Sequence, residues 1–518
     1  MSAATVKAGC NEAKPEIADP RTRTKIMAAT MSPPSGVAGF EQSVTQDAMT
    51  SLFERMMQDP RALVDGDYNE MMHWSREEID AYQDKWAQVR FAQLRSKIPI
   101  LEKLADGQGI QTVETKDDLA PLLFAHTTLK AYPLSWIEKG EFAKLTKWLN
   151  GLSAVDISNV DMTGVETIDD WIDRLDRDTD VRVFHSSGTS GKLSFVPRTV
   201  ADHTLGTINA ALFVRDWRGP NSGPDTRQNH IPVIIPTYRF GASASQRGGE
   251  RNVALLGGGE ALYLYPERRL SADVVSLAGR IRAADAKGEQ GTIAISPALA
   301  GKRDEMLANE RNREADMNRF FAEAHERFAG RDVMIGSTWP PLYEWAMAGL
   351  ARGDVAIFGK GSVLTTGGGM KGNHWPEGWL DRIKQFLGFD NIFHYYSMSE
   401  VISRCLECEM GHYHFPPTLI AYLLDPKSGE LLGRDERRTG RMAFFDTLIT
   451  SHWSGLVTGD EVTLSAKEET CGCGRTGDFL EYEIRRYSEK EGGDDKVVCA
   501  GAPQAHDDAL LLLERLGR

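Results

Sequence analysis

The sequence lacks the features of a membrane or secreted protein. Nowhere in its 518 residues is there an uninterrupted apolar run of about 18 or more, the length that spans a bilayer as a helix. The opening stretch, MSAATVKAGCNEAK, also lacks the apolar segment of a secretory signal peptide. We therefore expect a cytoplasmic protein without a membrane span.

An excess of positive charge is also missing. The chain has 60 Lys and Arg against 74 Asp and Glu, a formal net charge of −14 at pH 7. A chain this acidic gains no general attraction to phosphate polymers, which argues against a nucleic-acid scaffold, although a local basic patch remains compatible with it. The 41% hydrophobic and 26% charged residues are typical of a folded globular protein and exclude a fibrous or largely disordered one.

Cysteine is scarce, and its six copies are unevenly placed. Cys10 lies near the start, and the others all lie in the last quarter of the chain: Cys405, Cys408, Cys471, Cys473 and Cys499. In a reducing compartment, this clustering indicates a metal site or thiol chemistry rather than disulfides.

The residue pattern divides the chain into a tail, a large core and a short end. Residues 1–40 are rich in Ala, Ser, Thr and Pro without an apolar period, which predicts a disordered tail. Residues 41–475 form the predicted core, with a helical part to about 175 and a nucleotide-binding part over 176–475. Residues 476–518 are predicted to form an abbreviated C-terminal segment.

Short apolar runs alternate with helical stretches in the second part of the core. Between two of these runs, Met317–Phe328 carries its phenylalanines on one helical face. The alternation predicts an α/β fold with parallel-rich sheets and flanking helices, whose ligands bind beyond the carboxyl ends of the strands. The runs are Val181–His185, Ile231–Ile235, Ile293–Ile295, Val333–Ile335, Val363–Thr365 and Ile392–Tyr396.

A loop rich in glycine and hydroxyl side chains follows the first of these runs. It offers backbone N–H groups, hydroxyls and one lysine where a strand ends, which suits a phosphate cradle. The spacing is not that of a Walker loop, and taken alone the segment could equally be an ordinary Ser/Gly turn. Its residues are Ser186, Ser187, Gly188, Thr189, Ser190, Gly191 and Lys192.

Four further motifs follow, each with a use in binding ATP. Residues 367–372, GGGMKG, offer Gly-rich backbone to a flat base. Residues 395–400, YYSMSE, offer a ring to stack on that base and a carboxylate for Mg²⁺. Residues 458–460, TGD, offer a carboxylate to ribose hydroxyls, and residues 471–477, CGCGRTG, end the series.

In this order, HSSGTSG, GGGMKG, YYSMSE and CGCGRTG resemble the motifs of the adenylate-forming (AMP-binding, acyl-activating) enzyme superfamily. They are most similar to its phenylacetate-CoA ligase branch and to the acyl-protein synthetase of bacterial bioluminescence. The resemblance covers about residues 90–480. It implies ATP-dependent activation of a carboxylic acid as an acyl-adenylate, with release of pyrophosphate.

The resemblance also implies a role for each matching residue. Lys192 and Glu400 are implied to be catalytic, with Glu400 binding Mg²⁺; Lys371 is either a third catalytic residue or a solvated loop lysine. Adenine is expected against Gly368 and Gly369. The remaining nucleotide-binding residues are the stacking Tyr396, the phosphate-side Ser399, the ribose-binding Asp460, the arginine Arg475 and the loop residues Ser186, Ser187, Gly188, Thr189, Ser190 and Gly191.

Cysteine and histidine near residues 405–414 and 471–473 offer the donor atoms of structural zinc. By similarity to some phenylacetate-CoA ligase-like proteins, the implied ligands are Cys408, His414, Cys471 and Cys473. Cys405 and His412 could replace one of them, and ordinary reduced cysteines are the alternative. Four protein ligands would leave no open position, so a catalytic zinc is disfavoured.

The sequence departs from the superfamily after Arg475, where a domain of about a hundred residues with a catalytic lysine is usual. Only residues 476–518 follow here, which puts the CoA-transfer step in doubt. In the bioluminescence synthetase, a cysteine near the C-terminus accepts the acyl group before it passes to a reductase. Cys499 is the candidate for such an acceptor, and a buried core cysteine is the alternative.

We therefore expect an acid–thiol ligase-type enzyme that uses ATP, Mg²⁺ and a structural Zn²⁺. Its acid is expected to be aromatic, alicyclic or fatty, with Thr237–Ala242 and Gly336–Trp339 as candidate pocket segments. The acceptor is CoA, as in a genuine aryl- or acyl-CoA ligase, a protein cysteine, or a carrier or reductase partner. The non-enzyme alternative is a nucleotide-binding scaffold or regulatory protein.

Overall fold

The structure is a computed structural model and describes residues 51–186, 192–287, 296–301, 312–368 and 375–487. The described helices are α1 (Leu52–Gln58), α2 (Tyr68–Met71), α3 (Arg76–Leu94), α4 (Pro99–Gln108), α5 (Leu134–Glu138), α6 (Phe142–Asn150), α7 (Ile168–Asp178), α8 (Val200–Asp216), α9 (Ala244–Leu255), α10 (Ala272–Lys287), α11 (Pro297–Gly301), α12 (Arg313–Phe328), α13 (Trp339–Ala351) and α14 (Trp379–Leu387). Short 3₁₀ turns lie at Pro60–Asp65, Lys116–Leu122 and Thr128–Lys130.

The described strands form one large mixed sheet and one small hairpin. The small sheet pairs β1 with β2 in antiparallel fashion, and the large sheet contains the other twelve strands. The strands are β1 (Val181–His185), β2 (Phe195–Thr199), β3 (Val233–Gly241), β4 (Ala261–Leu270), β5 (Met334–Ser337), β6 (Val363–Gly367), β7 (Ile392–Tyr396), β8 (Cys405–Glu407), β9 (Tyr413–His414), β10 (Leu419–Leu424), β11 (Arg438–Asp446), β12 (Leu456–Leu464), β13 (Phe479–Leu480) and β14 (Arg485–Arg486).

The large sheet has a parallel half and an antiparallel half. The parallel half runs β4-β3-β5-β6-β7, and the antiparallel half continues β8-β9-β13-β12-β11-β10, with β14 beside β12. Parallel strands are covered on both faces, so they read as continuous apolar runs, as in β6, where every residue is buried. β12 instead alternates buried and half-buried residues along its whole length, which is typical of an antiparallel strand with one covered face.

Helices cover the parallel half on one side through a large aromatic core. The predicted helical face of Met317–Phe328 is confirmed, because Phe320, Phe321 and Phe328 of α12 are buried. Trp345 of α13 packs between Phe320 and Phe386 of α14, with ring centroids 5.0 and 5.2 Å away. This core includes Ile234 of β3, Ile335 of β5 and Leu364 of β6, so it fixes these strands relative to one another.

Helix α8 packs on the opposite face and connects the sheet to the N-terminal helices. Thr199 caps its first turn by accepting a hydrogen bond from the Asp202 amide, and Phe213 contacts both Tyr68 and Phe393. The Asp202 carboxylate in turn accepts hydrogen bonds from the backbone amides of Thr450 and Ser451. These contacts hold α8 against the loop that follows β11.

The α/β prediction is confirmed, and most of the predicted strands are present. β7 has the predicted bounds, whereas β3 begins at Val233 and extends six residues beyond the predicted end at Ile235. The predicted tail over residues 1–40 and the predicted strand Ile293–Ile295 lie outside the described residues. β13 and β14, which follow Arg475, belong to the large sheet. Among the described helices, none is both long and apolar enough to cross a membrane.

We predict that Gly349→Ala destabilises the protein by about 1–3 kcal/mol, because the core around Phe386 has no room for a methyl group. A Cβ on Gly349 would lie 2.1 Å from Cε2 of Phe386, whose side chain is fully buried against Trp345. Urea unfolding measures the effect.

The matched control is Gly107→Ala in α4, where nothing lies within 4 Å of the added Cβ. Because alanine favours a helix over glycine, the control should be neutral or stabilising by up to about 1 kcal/mol. Equal unfolding free energies for the two variants would contradict this account of the core.

Candidate active site

A cavity of about 620 Å³ lies at the carboxyl ends of the parallel strands, where α/β sheets bind ligands. The ends of β3, β5, β6 and β7 form one wall, and the loop after β7 forms another. β12 and β14 of the antiparallel half close the cavity on a third side, through Thr458–Asp460 and Arg486. Both halves of the sheet therefore contribute to the cavity wall.

Six of the sequence-predicted site residues line this cavity, although they come from four separate stretches of the chain. They are Ser186, Lys192, Gly368, Ser399, Glu400 and Asp460. Gly368 has φ +76°, a conformation that glycine adopts without strain. Ser187–Gly191, Gly369, Lys371 and Cys499 lie outside the described residues, so their predicted roles stay predictions.

Glu400 lies in the loop after β7, which two buried side chains hold by its backbone. The Arg198 guanidinium donates to the carbonyl oxygens of Ser399, at 2.7 Å, and of Val401. His452 Nε2 lies 3.1 Å from the carbonyl oxygen of Glu400, between those two. Three consecutive carbonyls are therefore occupied by side chains from β2 and from the loop after β11. We refer to these contacts as the carbonyl clamp.

Burial shifts the pKa values of Arg198, Glu400 and His452. It lowers the pKa of Arg198 to about 10 and raises the pKa of Glu400, a rise that the nearby Arg198 charge opposes. Burial and the Arg198 charge lower the pKa of His452 to about 4. His452 is therefore neutral near pH 7. Its Nε2–H can donate to Glu400 while Nδ1 lies 3.1 Å from the Ser451 hydroxyl.

Asp460 and Tyr396 form a hydrogen-bonded pair beside the clamp. The Tyr396 hydroxyl donates to Oδ2 of Asp460 at 2.7 Å, and Nε of Arg486 lies 3.5 Å from Oδ1. Burial and the Asp460 charge raise the pKa of Tyr396 well above its usual value, so the hydroxyl remains a donor. Asp460 therefore fixes the orientation of the Tyr396 ring.

Lys192 is placed on the cavity wall by Tyr132. Its Nζ donates to the Tyr132 carbonyl oxygen at 2.7 Å and lies 5.5 Å from the centroid of the Tyr132 ring. Burial, and the nearby charge of Lys130, lower the pKa of Lys192. A lysine held this way at the end of the phosphate-type loop presents its charge to the cavity.

Cys408, His414, Cys471 and Cys473 lie together, with one donor atom from each within 4.8 Å of the others. The two sulfurs of Cys408 and Cys471 are 3.9 Å apart, and Cys473 Sγ lies 3.2 Å from Nε2 of His414. We call these four residues the cysteine–histidine cluster. The pairing of β9 with β13 brings its two sequence segments together.

The two spare residues named from the sequence differ in position. His412 Nδ1 lies 3.2 Å from Cys471 Sγ, so it touches the cluster from outside. Cys405 is buried on β8 and is not among the clustered donors.

Two of the predicted nucleotide-binding residues, Tyr396 and Arg475, do not line the cavity. Arg475 packs elsewhere. Its guanidinium lies 3.9 Å from the ring centroid of Trp217, donates to the Trp217 carbonyl and pairs with Glu409 at 3.0 Å. It therefore connects the turn that carries Cys471 and Cys473 to the end of α8. The arginines beside Asp460 in the cavity are Arg441 and Arg486.

Sequence reasoning missed both side chains of the carbonyl clamp. Arg198 carries a weak signal, because a charged residue that directly follows the apolar run Phe195–Pro197 needs a polar partner if it is buried. His452 carries none, since its neighbours Ser451 and Trp453 belong to an irregular loop.

Comparison with known proteins finds no matching family model and no matching curated sequence. Solved structures similar to this chain include an open 2-hydroxyisobutyryl-CoA ligase in complex with 2-HIB-AMP and CoA, at 14% identity and TM-score 0.47, covering 81% of this chain and 77% of that one. ATP-bound MatB from Rhodopseudomonas palustris matches at 10% identity and TM-score 0.32, covering 58% and 47%.

A long-chain-fatty-acid-CoA ligase from Archaeoglobus fulgidus matches at 12% identity and TM-score 0.34, covering 63% of this chain and 57% of that one. This chain thus spans about half of the length of the latter two proteins. Because all three TM-scores are below 0.5, the residues of the cavity carry the functional argument.

We predict that the clamp makes stability depend on pH through His452. The folded pKa of about 4 lies below the ordinary value of 6.5, so the contribution of neutral His452 is fully present above about pH 6.5 and is lost as pH falls towards 4. In His452→Gln, which keeps an amide donor for the Glu400 carbonyl, this loss is absent.

The measurement is the difference in unfolding free energy between wild type and His452→Gln at pH 7 and at pH 5. We expect wild type to lose about 1–2 kcal/mol relative to the variant over this interval. A difference that is the same at both pH values would show that folding does not lower the pKa of His452.

Proposed function

We propose that this protein is an adenylate-forming ligase that activates a carboxylic acid with ATP. One observation carries the proposal: a lysine, a glutamate, an aspartate and a Gly-rich strand end, each from a different motif, line the same cavity. The motifs stand in the order of the superfamily that the sequence resembles. The proposed reaction releases pyrophosphate and leaves the acyl group on AMP.

In the proposed reaction, an oxygen of the substrate carboxylate attacks the α-phosphorus of ATP and the bond to the β-phosphate breaks. No general base is required, because a carboxylate is already ionised near neutral pH. The protein contributes position and charge: Lys192 and the loop after β1 hold phosphate, and Ser399 lies beside it. The ribose is assigned to Asp460 and, by the resemblance, adenine to Gly368 and the Tyr396 ring.

Glu400 is the residue that would hold Mg²⁺. Magnesium in nucleotide sites is usually bound by one or two carboxylates together with phosphate oxygens, and Glu400 offers one carboxylate at the cavity wall. The ion would neutralise charge that develops on the phosphates. The carbonyl clamp fixes the loop from which this carboxylate projects.

The acyl acceptor is proposed to be a thiol, either of CoA or of a protein. Cys499, a carrier protein and a reductase partner are the protein candidates. The proposed acid is aromatic, alicyclic or fatty, since the apolar ends of β3 and β5 line the cavity through residues such as Ile235, Tyr238 and Met334. A nucleotide-binding scaffold without turnover is the rival, and the exchange assay below separates the two.

We predict that the protein catalyses carboxylate-dependent exchange between ATP and pyrophosphate, and that Glu400→Gln slows it roughly 10²–10³-fold. Isotope exchange over a panel of acids measures the rate. Glu430→Gln, an exposed glutamate outside the cavity, is the matched control and should retain wild-type exchange.

Undiminished exchange in Glu400→Gln would refute the magnesium assignment. A folded wild-type protein that exchanges with no acid would favour the scaffold. Product analysis with and without CoA then assigns the acceptor, because exchange without a CoA-dependent product points to a protein thiol.

We further propose that the cysteine–histidine cluster holds a structural Zn²⁺. Thiolates bound to one tetrahedral zinc at about 2.3 Å lie roughly 3.8 Å apart, close to the 3.9 Å between Cys408 and Cys471. Three sulfurs and one imidazole nitrogen complete a closed coordination shell. Such an ion would join the hairpin β8–β9 to the turn before β13.

We predict about one zinc per chain by metal analysis of the purified protein, and loss of that zinc in Cys473→Ser and in His414→Asn. Because the metal binds the folded state, its loss should lower the melting temperature by several degrees. Cys405→Ser and His412→Asn are the matched controls and should keep the metal. If zinc were lost in His412→Asn but kept in His414→Asn, His412 rather than His414 would be the fourth ligand.

A further inference from the structure

One end of the cavity lies against helix α8 and contains an arginine among apolar groups. Arg404 stands just before β8, in the same strand-to-loop segment that follows Glu400. Because Leu406 is opposite Tyr395 in the sheet, residue 404 shares the sheet face of those two residues, which is the face that α8 covers. The residues lining this end are Gly206, Ala210, Phe213, Tyr395, Ile402 and Arg404.

The Arg404 guanidinium is held by two aromatic rings rather than by a carboxylate. It lies 5.1 Å from the ring centroid of Tyr395 and 5.7 Å from that of Phe213. Its one hydrogen bond within the described chain is long, 3.4 Å to the Gly206 carbonyl oxygen. Contact through the ring faces fixes the guanidinium and leaves most of its N–H donors free.

Arg404 lacks an acidic partner among the described residues, unlike Arg215 and Arg247. Arg215 pairs with Asp216 at 2.6 Å and Arg247 with Asp176 at 2.5 Å, whereas no carboxylate in the described parts of the chain lies within ion-pair distance of Arg404. A half-buried guanidinium without a counter-ion is costly unless something else supplies acceptors. Since the side chain lines the cavity, a ligand in the cavity can supply them.

His203 provides an independent second observation on the same helix, one turn before Gly206. It lines the cavity and is only 9% exposed, yet its Nε2 has no hydrogen-bond partner within the described chain. Burial and the Arg198 charge lower its pKa to about 2, so the ring is neutral. Because this nitrogen lies on the cavity wall, a polar atom of a ligand can supply the partner that the described chain lacks.

We infer that this end of the cavity is a subsite for a second carboxylate, so that the acid activated by this protein is a dicarboxylic acid. One carboxylate meets the α-phosphorus and the other accepts hydrogen bonds from Arg404; Nε2 of His203 is a further polar group on the wall of the same cavity. The inference rests on the proposed adenylation, which it narrows to acids with a second negative charge.

Physical chemistry favours this acid over a plain aromatic or fatty one. A guanidinium presents a planar fork of donors that matches the two oxygens of a carboxylate. An apolar acyl group would cover these donors without replacing the water that they lose, and a site built for a polar group discriminates strongly against analogues that lack it. The aromatic side chains that line this end, Phe213 and Tyr395, are still compatible with a ring or an alkyl chain between the two carboxylates.

The test compares matched acids in the exchange assay: terephthalate with benzoate, and linear dicarboxylates of about four to eight carbons with monocarboxylates of equal length. We expect kcat/KM for the best dicarboxylate to exceed that of its monocarboxylate partner at least tenfold. Arg404→Leu should lower kcat/KM for the dicarboxylate roughly 10–100-fold, mainly through KM, while KM for ATP is unchanged. Arg404→Lys, which keeps the charge, should retain part of the activity.

Arg218→Leu is the control, because this exposed arginine also contacts a ring of the sheet, 5.1 Å from Phe393, but does not line the cavity. It should leave both KM values unchanged. Three results would contradict the subsite without affecting the proposed adenylation. The first is a higher kcat/KM for monocarboxylates than for dicarboxylates. The others are an Arg404→Leu loss of kcat/KM that is equal for every acid, or one that is expressed in KM for ATP.

Exchange with no acid at all would instead contradict the proposed function. In that case, calorimetric titration of terephthalate and of the linear dicarboxylates without ATP tests the subsite alone. Binding that is present in wild type and lost in folded Arg404→Leu supports the subsite; absent binding, or equal binding by both proteins, overturns it.

Discussion

Three consecutive carbonyl oxygens, those of Ser399, Glu400 and Val401, are held by Arg198 and His452, and the arrangement of the cavity depends on this clamp. A loop that leaves a parallel strand has no ladder to accept its hydrogen bonds, so its backbone must find other partners or face water. Here the partners are two buried side chains with shifted pKa values, Arg198 and His452. Both belong to segments packed in the core, so they hold the loop in one position. The position of the Glu400 carboxylate therefore follows from β2 and from the loop after β11, not from the loop that contains it.

The same loop reverses the direction of the sheet. β7 is parallel to β6, whereas β8 returns antiparallel to β7, so the seven residues between Ser397 and Cys405 turn the chain at the mouth of the cavity. The cysteine–histidine cluster lies just beyond this turn, since Cys408 follows β8 and His414 lies on β9. The clamp holds one end of the turn and the pairing of β8 with β7 holds the other, so Glu400 and Arg404 reach the cavity from fixed positions.

The sequence predicts this molecule well where neighbours in the chain decide the structure. Buried parallel strands read as apolar runs, so β6 and β7 were predictable, and the Cys-x-Cys spacing predicted that Cys471 and Cys473 would share one site. Prediction from the sequence fails where contacts join segments that are distant in the chain. The clamp joins residues about 200 and 50 positions apart, and no local pattern records such a pairing. Arg475 shows the converse, because its motif predicts a nucleotide contact while its packing on Trp217 places it at the cluster.

The net charge of the chain does not predict the charge of the cavity wall, because the arginines differ in the groups that they contact. The chain carries a formal charge of −14, yet cations outnumber carboxylates on the cavity wall. Arg247 is neutralised by Asp176, but Arg198 bonds to carbonyl oxygens and Arg404 to aromatic rings, neither of which cancels a charge. Their positive potential therefore remains in the cavity, where water is restricted and screening is weak. An acidic protein can thus hold an anion-binding site, provided that its buried arginines are satisfied by dipoles and rings rather than by carboxylates.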